Sequence, residues 1–80
     1  MSTSPLRIEP LATGVDCSGD ALHVTLADGR EVTVPLAWFP RLQNASDQQR
    51  GNWRLIGGGV GIHWPDVDED ISVEGLLAVR

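Results

Sequence analysis

Acidic residues are concentrated near the C-terminal end of the sequence, where they could bind a cation or attract a basic molecule. Five of the eleven acids fall within nine positions, directly after Trp64 and Pro65. They are Asp66, Asp68, Glu69, Asp70 and Glu74, which we call the acidic block. The spacing of its three aspartates matches the start of a calcium loop, but Ile71 and Leu77 stand where that loop needs glycine and glutamate. We therefore predict no metal site, while a weak divalent site that includes His63 stays open.

The residue types that perform nucleophilic or acid–base catalysis do not form a recognisable constellation. Cys17 lies in an apolar run and is interpreted as a small core residue. His23 faces the other side of the neighbouring strand, so the two side chains should not meet. Asp66 and Asp70 could act as acid and base only in an enclosed cleft that raises one pKa, and a loop of solvated acids provides none. We predict no enzyme, no catalytic residues and no cofactor.

The glycines of residues 57–61 (Gly-Gly-Gly-Val-Gly) suggest a phosphate-binding loop, because bare backbone amides can converge on an anion. The dinucleotide-binding pattern cannot be completed, since Trp64 stands where its third glycine is required. No Gly-Lys-Ser/Thr follows, and the next residues resemble a strand. We predict a structural turn here.

Length and charge restrict the class of protein and of partner. The 80 residues are enough for a single domain with a small core, 41% of them are hydrophobic, and the net charge is −5. Six arginines and no lysine leave no basic run, so we predict no direct binding to nucleic acid and expect a small, basic protein partner. A single cysteine, no long apolar segment and no signal-peptide pattern favour a cytoplasmic protein without a membrane span.

The first half of the chain alternates with the period of a β-sheet. We expect residues 1–10 to be a loosely ordered arm and residues 11–80 to be one domain. Around a two-residue turn at Gly19, the alternation pairs Cys17 with Leu22 and Val15 with Val24. A three-residue loop over residues 27–29 then keeps the apolar residues of the next two strands on one face. The third strand should end at a proline, residue 35, or lie at an edge.

The second half of the chain predicts short helices and further strands. Helical spacing after residue 35 is followed by Ser46 and Gln49, a capping-box pair that begins a second helix ending near Gly51. Residues 53–56 and 60–64 have strand-like composition, and Ser72 could cap a last turn over residues 73–77. The predicted fold is α+β: an antiparallel three-stranded meander followed by two short helices, one or two further strands and a C-terminal helical turn.

Three segments carry a resemblance to a known family. They are residues 38–42 (Trp-Phe-Pro-Arg-Leu), 52–53 (Asn-Trp) and 61–77 (Gly-Ile-His-Trp-Pro-Asp-Val-Asp-Glu-Asp-Ile-Ser-Val-Glu-Gly-Leu-Leu). Over about residues 14–78 the chain resembles the small bacterial family of domain of unknown function 2442. Members of that family resemble stand-alone proteins or domains fused to a helix-turn-helix, and many are encoded beside a second small protein. The resemblance implies an antitoxin-like or regulatory role and supplies no catalytic or ligand residues.

We therefore predict a non-enzymatic protein-binding domain, the antitoxin-like or regulatory member of a two-protein pair. Trp64 is predicted to be an exposed anchor, since tryptophan and arginine are enriched at interface hot spots. The predicted binding residues are Trp64, His63, Asp66, Asp68, Glu69, Asp70, Arg41 and Arg50. Internal pairing of the two arginines with the acidic block is an equal alternative. A structural or homo-oligomeric module stabilised by the same block, with a homodimer as one form of it, and a weak metal or small-molecule site are the rival functions.

Overall fold

A computed structural model describes residues 10–78, which form two antiparallel sheets of three strands each. The strands of the first sheet are β1 (Ala12–Ser18), β2 (Ala21–Leu26) and β3 (Glu31–Pro35). A 3-10 turn (Leu36–Trp38) and two helices follow, α1 (Pro40–Gln43) and α2 (Asp47–Gly51). The second sheet contains β4 (Arg54–Ile56), β5 (Gly61–Trp64) and β6 (Glu69–Ser72), and α3 (Val73–Ala78) comes last. The predicted α+β class with an initial meander is confirmed.

The register of the first sheet is the predicted one. Val15 lies opposite Val24 and Cys17 opposite Leu22, and the positive φ of +58° at Gly19 suits the first position of a tight hairpin turn. Val24 also lies opposite a valine of β3, as the three-residue loop requires. That loop ends at Gly29, whose φ of +95° lies in the left-handed region that favours glycine.

The helices between the two sheets begin and end where local chemistry predicts. Pro40 occupies the first turn of α1, where a missing backbone N–H costs no intrahelical hydrogen bond. The Ser46 hydroxyl accepts from the Gln49 amide at 3.1 Å, and the Gln49 side chain accepts from the Ser46 amide at 2.9 Å. This capping box satisfies two N–H groups at the start of α2. These short helices place Leu42 in the core at the junction of the sheets.

The second sheet differs from the sequence prediction in one element. We predicted an acidic loop after Pro65, but Glu69 to Ser72 form the strand β6, antiparallel to β5. Ile71 is the residue of β6 that enters the core, opposite Ile62. The prediction of an arm over residues 1–10 falls outside the described residues except at Pro10.

One core joins the two sheets. Its buried members come from both sheets, α1, α3 and the 3-10 turn: Ala12, Leu22, Val24, Leu26, Val34, Leu36, Leu42, Ile62, Trp64, Ile71, Val73 and Leu76. None of the helices in residues 10–78 is long and apolar enough to cross a membrane. The acidic block is therefore positioned by a shared apolar core, and its own residues are mostly exposed.

A backbone hydrogen bond at Gly59 joins β1 to the turn between β4 and β5. Its carbonyl accepts from the Ala12 amide at 2.7 Å, and its φ is +119°. A Cβ at this position would lie 2.5 Å from the carbonyl oxygen of Ala12, which no side chain tolerates.

We expect Gly59→Ala to lower the free energy of unfolding by about 2 kcal/mol or more, because positive φ and the backbone clash act together. Urea denaturation followed by circular dichroism measures the loss. Gly51→Ala is the matched control, since no atom lies within 4 Å of its added Cβ and its φ is not positive. An equal loss in both variants would contradict the close approach.

Candidate functional site

Trp64 is a core residue, so the prediction of an exposed anchor is wrong. Its exposed fraction is 0%, and its indole Nε1 donates to the Arg50 carbonyl at 3.0 Å. The physical reason is the alternation of β5. Trp64 shares its face with Ile62, and that face packs against the core, whereas His63 faces outward.

A different tryptophan is exposed. Trp38, at the end of the 3-10 turn, has 49% of its surface exposed, whereas Trp53 is half-buried against the core. The exposed tryptophan is therefore Trp38, and the sequence prediction had assigned exposure to Trp64.

Arg50 stabilises the interior, and it is not a free surface cation. Its side chain is 19% exposed, and its guanidinium donates to the carbonyls of Leu42 at 2.8 Å and Gln43 at 2.6 Å. One nitrogen also lies 3.3 Å from the carboxylate of Asp47. Because α1 is short, its last carbonyls need external donors, and Arg50 supplies them. Arg50 is therefore engaged within the chain, and its contact with a partner stays a prediction.

Arg41 contacts the acidic block through the backbone. Its Nη1 donates to the Asp68 carbonyl at 2.6 Å, so the guanidinium fixes the turn before β6 without reaching a carboxylate. That turn includes a residue with positive φ, because Asp68 has φ of +52°. Arg41 thus supports the acidic block from within the chain. This agrees with the alternative of internal pairing, although the contact is to a backbone carbonyl and not to a carboxylate.

The carboxylates of the acidic block remain largely unneutralised. Asp66 accepts from the Asn52 amide at 3.0 Å, and Asp70 pairs with His63 across the strands. The other ion pairs found in residues 10–78 join Arg30 to Asp28 and Arg50 to Asp47. Among the described residues, no arginine forms an ion pair with the acidic block. The block therefore presents negative charge to solvent on a fixed backbone.

The outward face of the second sheet carries two cross-strand rows of side chains. The first row is Arg54, His63 and Asp70, and the second is Ile56, Gly61 and Ser72. The second row borders a cleft of about 510 Å³. Its lining residues are Pro10, Ile56, Val60, Gly61, Asp70, Ile71, Ser72 and Glu74. Sequence reasoning missed this cleft, because three of its lining residues belong to β6, a strand that was not predicted.

The first sheet carries a polar trio that sequence reasoning also missed. His23 Nε2 lies 3.0 Å from the Ser18 hydroxyl, and its Nδ1 lies 3.1 Å from the Thr33 hydroxyl. A serine–histidine pair of this kind needs a carboxylate on the second nitrogen to orient and stabilise the imidazolium, and here a hydroxyl holds that position. The trio has the contacts of a cross-strand hydrogen-bond network. In the part of the chain that the structure describes, no group of three His, Cys, Asp or Glu side chains is placed to hold a metal.

Cys17 faces away from His23 and is half-buried. Burial raises the pKa of the Cys17 thiol, Arg50 opposes the increase, and the carboxylates of Asp16 and Asp47 add to it. A raised pKa keeps the thiol protonated, which makes it a poor nucleophile near neutral pH.

We expect the native Cys17 thiol to react with a disulfide reagent at about pH 8 more slowly than the same thiol in urea-unfolded chain. The rate for the unfolded chain should rise as the pH passes the ordinary thiol pKa, whereas the rate for the native chain should rise only at higher pH, because its thiol pKa is raised. Stability that comes from keeping the thiol neutral is present below that pKa and is lost as the pH rises toward the folded value. Equal rates for native and unfolded chain would contradict the buried environment.

The fold and the site define a small α+β domain with a mostly exposed acidic block. Residues 12–80 match the family model described as protein of unknown function (DUF2442), and the chain belongs to that family. It is also similar to a protein of unknown function from Rhodospirillum rubrum with a crystal structure, at 34% identity and a TM-score of 0.75. That similarity covers 89% of this chain and 88% of the other. No curated protein matches.

Proposed function

We propose that this chain is a non-enzymatic protein-binding domain whose acidic block receives a basic protein. The observation that carries the proposal is the state of the carboxylates: all but Glu69 are exposed, and within residues 10–78 no arginine forms an ion pair with them. Exposed like charges held close together cost free energy, and a partner of opposite charge relieves that cost. Such complementarity mainly raises the association rate and selects the partner.

The arrangement of the backbone supports the same proposal. Arg41 fixes the turn at Asp68, Asn52 holds Asp66, and buried Trp64 anchors the start of the block. A block whose shape is set before binding loses less conformational entropy when a partner arrives. We propose that the domain is the antitoxin-like or regulatory member of a cytoplasmic two-protein pair, with the neighbouring gene's product as its partner.

A structural role is the second candidate, and the burial of Trp64 favours it. The indole, Arg41 and Arg50 all brace the chain itself. The brace, however, uses backbone carbonyls and leaves the carboxylates exposed. Association of two identical chains through the block would bring together two surfaces of the same sign, on chains of net charge −5 each.

The test is the affinity for the purified product of the neighbouring gene, measured by calorimetry. We expect Asp66→Lys with Asp68→Asn to weaken binding by at least about ten-fold, since the block loses two carboxylates and gains an amine. Asparagine is chosen at position 68 because it tolerates positive φ. Asp16→Lys with Glu31→Gln is the matched control, because it changes net charge equally at exposed positions of the first sheet. No complex, or equal weakening by the two variants, would refute the proposal.

A further inference from the structure

The cleft on the outward face of the second sheet has apolar walls and an acidic rim. Ile56 and Val60 form its apolar side and are 42% and 45% exposed, unusually open for such side chains. Asp70 and Glu74 line it as well. Exposed apolar side chains grouped with polar residues at their border are typical of interaction sites.

The cleft exists because Gly61 has no side chain. Gly61 lies between Ile56 and Ser72 in the cross-strand row, so the centre of that row is empty. Its backbone does not require glycine: its φ is not positive, and an added Cβ would lie 3.4 Å from the Ile71 carbonyl and 3.8 Å from Ile56. These are ordinary van der Waals distances. A larger side chain at position 61 would therefore fill the cleft.

We propose that this cleft binds an apolar side chain of the partner protein that is flanked in the partner by arginine or lysine. This proposal rests on the proposed function. It adds that the cleft is the part of the surface that contacts the partner, and that the partner offers an apolar side chain beside basic ones. The apolar walls would bury the partner's side chain, with a gain of about 25 cal/mol per Å² removed from water. Asp70 and Glu74 would pair with the adjacent cations at the rim, where they fix orientation more than affinity.

The charge of the cleft rim favours a basic partner over a second copy of this chain. A second copy of the chain brings a net charge of −5 to a rim that is itself acidic, which opposes self-association. A basic, partly apolar segment matches both the walls and the rim.

The test uses two synthetic peptides of equal charge, Gly-Arg-Leu-Arg-Leu-Arg-Gly and the same peptide with serine in place of leucine. Each is titrated into the full chain while amide NMR shifts are recorded. We expect saturable binding of the leucine peptide, with the largest shifts at residues 56, 60, 61 and 70–74. The serine peptide should bind at least about ten-fold more weakly, because it offers the rim cations but no apolar side chain. Equal binding of the two peptides, or shifts confined to residues 66–68, would overturn the inference.

Two variants locate the binding. Gly61→Leu fills the cleft and should weaken the leucine peptide by at least about ten-fold, whereas Gly51→Ala should leave it unchanged. Val60→Ser is the second variant, since an exposed position tolerates it without loss of the fold, and it should weaken binding in the same direction. Unchanged affinity in a folded Gly61→Leu chain and in Val60→Ser would overturn the inference.

Two other occupants are outcomes of the same experiment. The first nine residues include Leu6, Arg7 and Ile8, which have the same chemistry. Stronger peptide binding by the full chain with Leu6→Ser and Ile8→Ser would assign the cleft to the chain itself and overturn the inference. If the chain self-associates and Gly61→Leu abolishes that association, the cleft binds a second copy of the chain, and the inference is overturned.

The failure of this inference is distinguishable from failure of the proposed function. If the neighbouring gene's product binds Gly61→Leu normally but not the chain with Asp66→Lys and Asp68→Asn, the acidic block binds the partner and the cleft does not.

Discussion

Replacing Trp64 by alanine is expected to lower the free energy of unfolding by about 3 to 5 kcal/mol, the range for removing a large buried aromatic side chain. The indole is fully buried, and its loss would also leave the Arg50 carbonyl without its donor. Trp64→Phe should give an intermediate loss, because it keeps much of the apolar contact and none of the hydrogen bond. Denaturation in urea, followed by circular dichroism, measures each value.

Trp38→Ala is the matched control for Trp64. The side chain of Trp38 is half exposed, so its removal should change the free energy of unfolding by no more than about 1 kcal/mol. Trp38 should also account for much of the fluorescence that acrylamide quenches in the native chain. A loss at Trp38 as large as that at Trp64 would contradict the assignment of the two residues.

Arg50→Ala is expected to cost about 2 to 3 kcal/mol, although the residue lies outside the apolar core. A single guanidinium donates to the carbonyls of Leu42 and Gln43, and alanine removes both of these hydrogen bonds. Arg50→Lys should recover only part of the loss, because an ammonium cannot reproduce the planar fork that reaches two carbonyls.

Arg54→Ala is the control for Arg50, since Arg54 is exposed and donates no side-chain hydrogen bond among the described residues. It should change stability by no more than about 0.5 kcal/mol. If Arg50→Ala instead weakened partner binding while leaving the free energy of unfolding unchanged, Arg50 would be a contact residue after all, and the structural assignment would be wrong.

Both hairpins of the first sheet could be predicted because two independent signals agreed. Loop length and apolar alternation each restrict the register, and only one choice at each loop satisfied both. The capping box at Ser46 was equally readable, because its chemistry is confined to four consecutive residues. Local interactions of this kind can be identified from the sequence alone.

The strand β6 could not be read in the same way. Three of its four residues are polar, and only Ile71 enters the core, so an exposed edge strand leaves little alternation to detect. The acids therefore suggested a loop. The arginine hydrogen bonds and the cleft depend on residues brought together by the tertiary fold, and no pattern along the chain encodes them.

The burial of Trp64 was, by contrast, within reach of sequence reasoning. Ile62 and Trp64 have the same parity in β5, and a strand that buries one of them buries the other. The general enrichment of tryptophan at interfaces favours exposure, but the parity of β5 determines the burial of Trp64.

The association rate of the neighbouring gene's product, measured by stopped flow at increasing salt, tests the role of the acidic block most directly. We expect a rate that falls steeply between about 50 and 500 mM NaCl, because salt screens the attraction between exposed charges. Asp66→Lys with Asp68→Asn should lower the rate at low salt by about ten-fold and remove most of the salt dependence, while the Asp16 and Glu31 control should not. A rate that is insensitive to salt, or equally affected by both variants, would contradict binding through the acidic block.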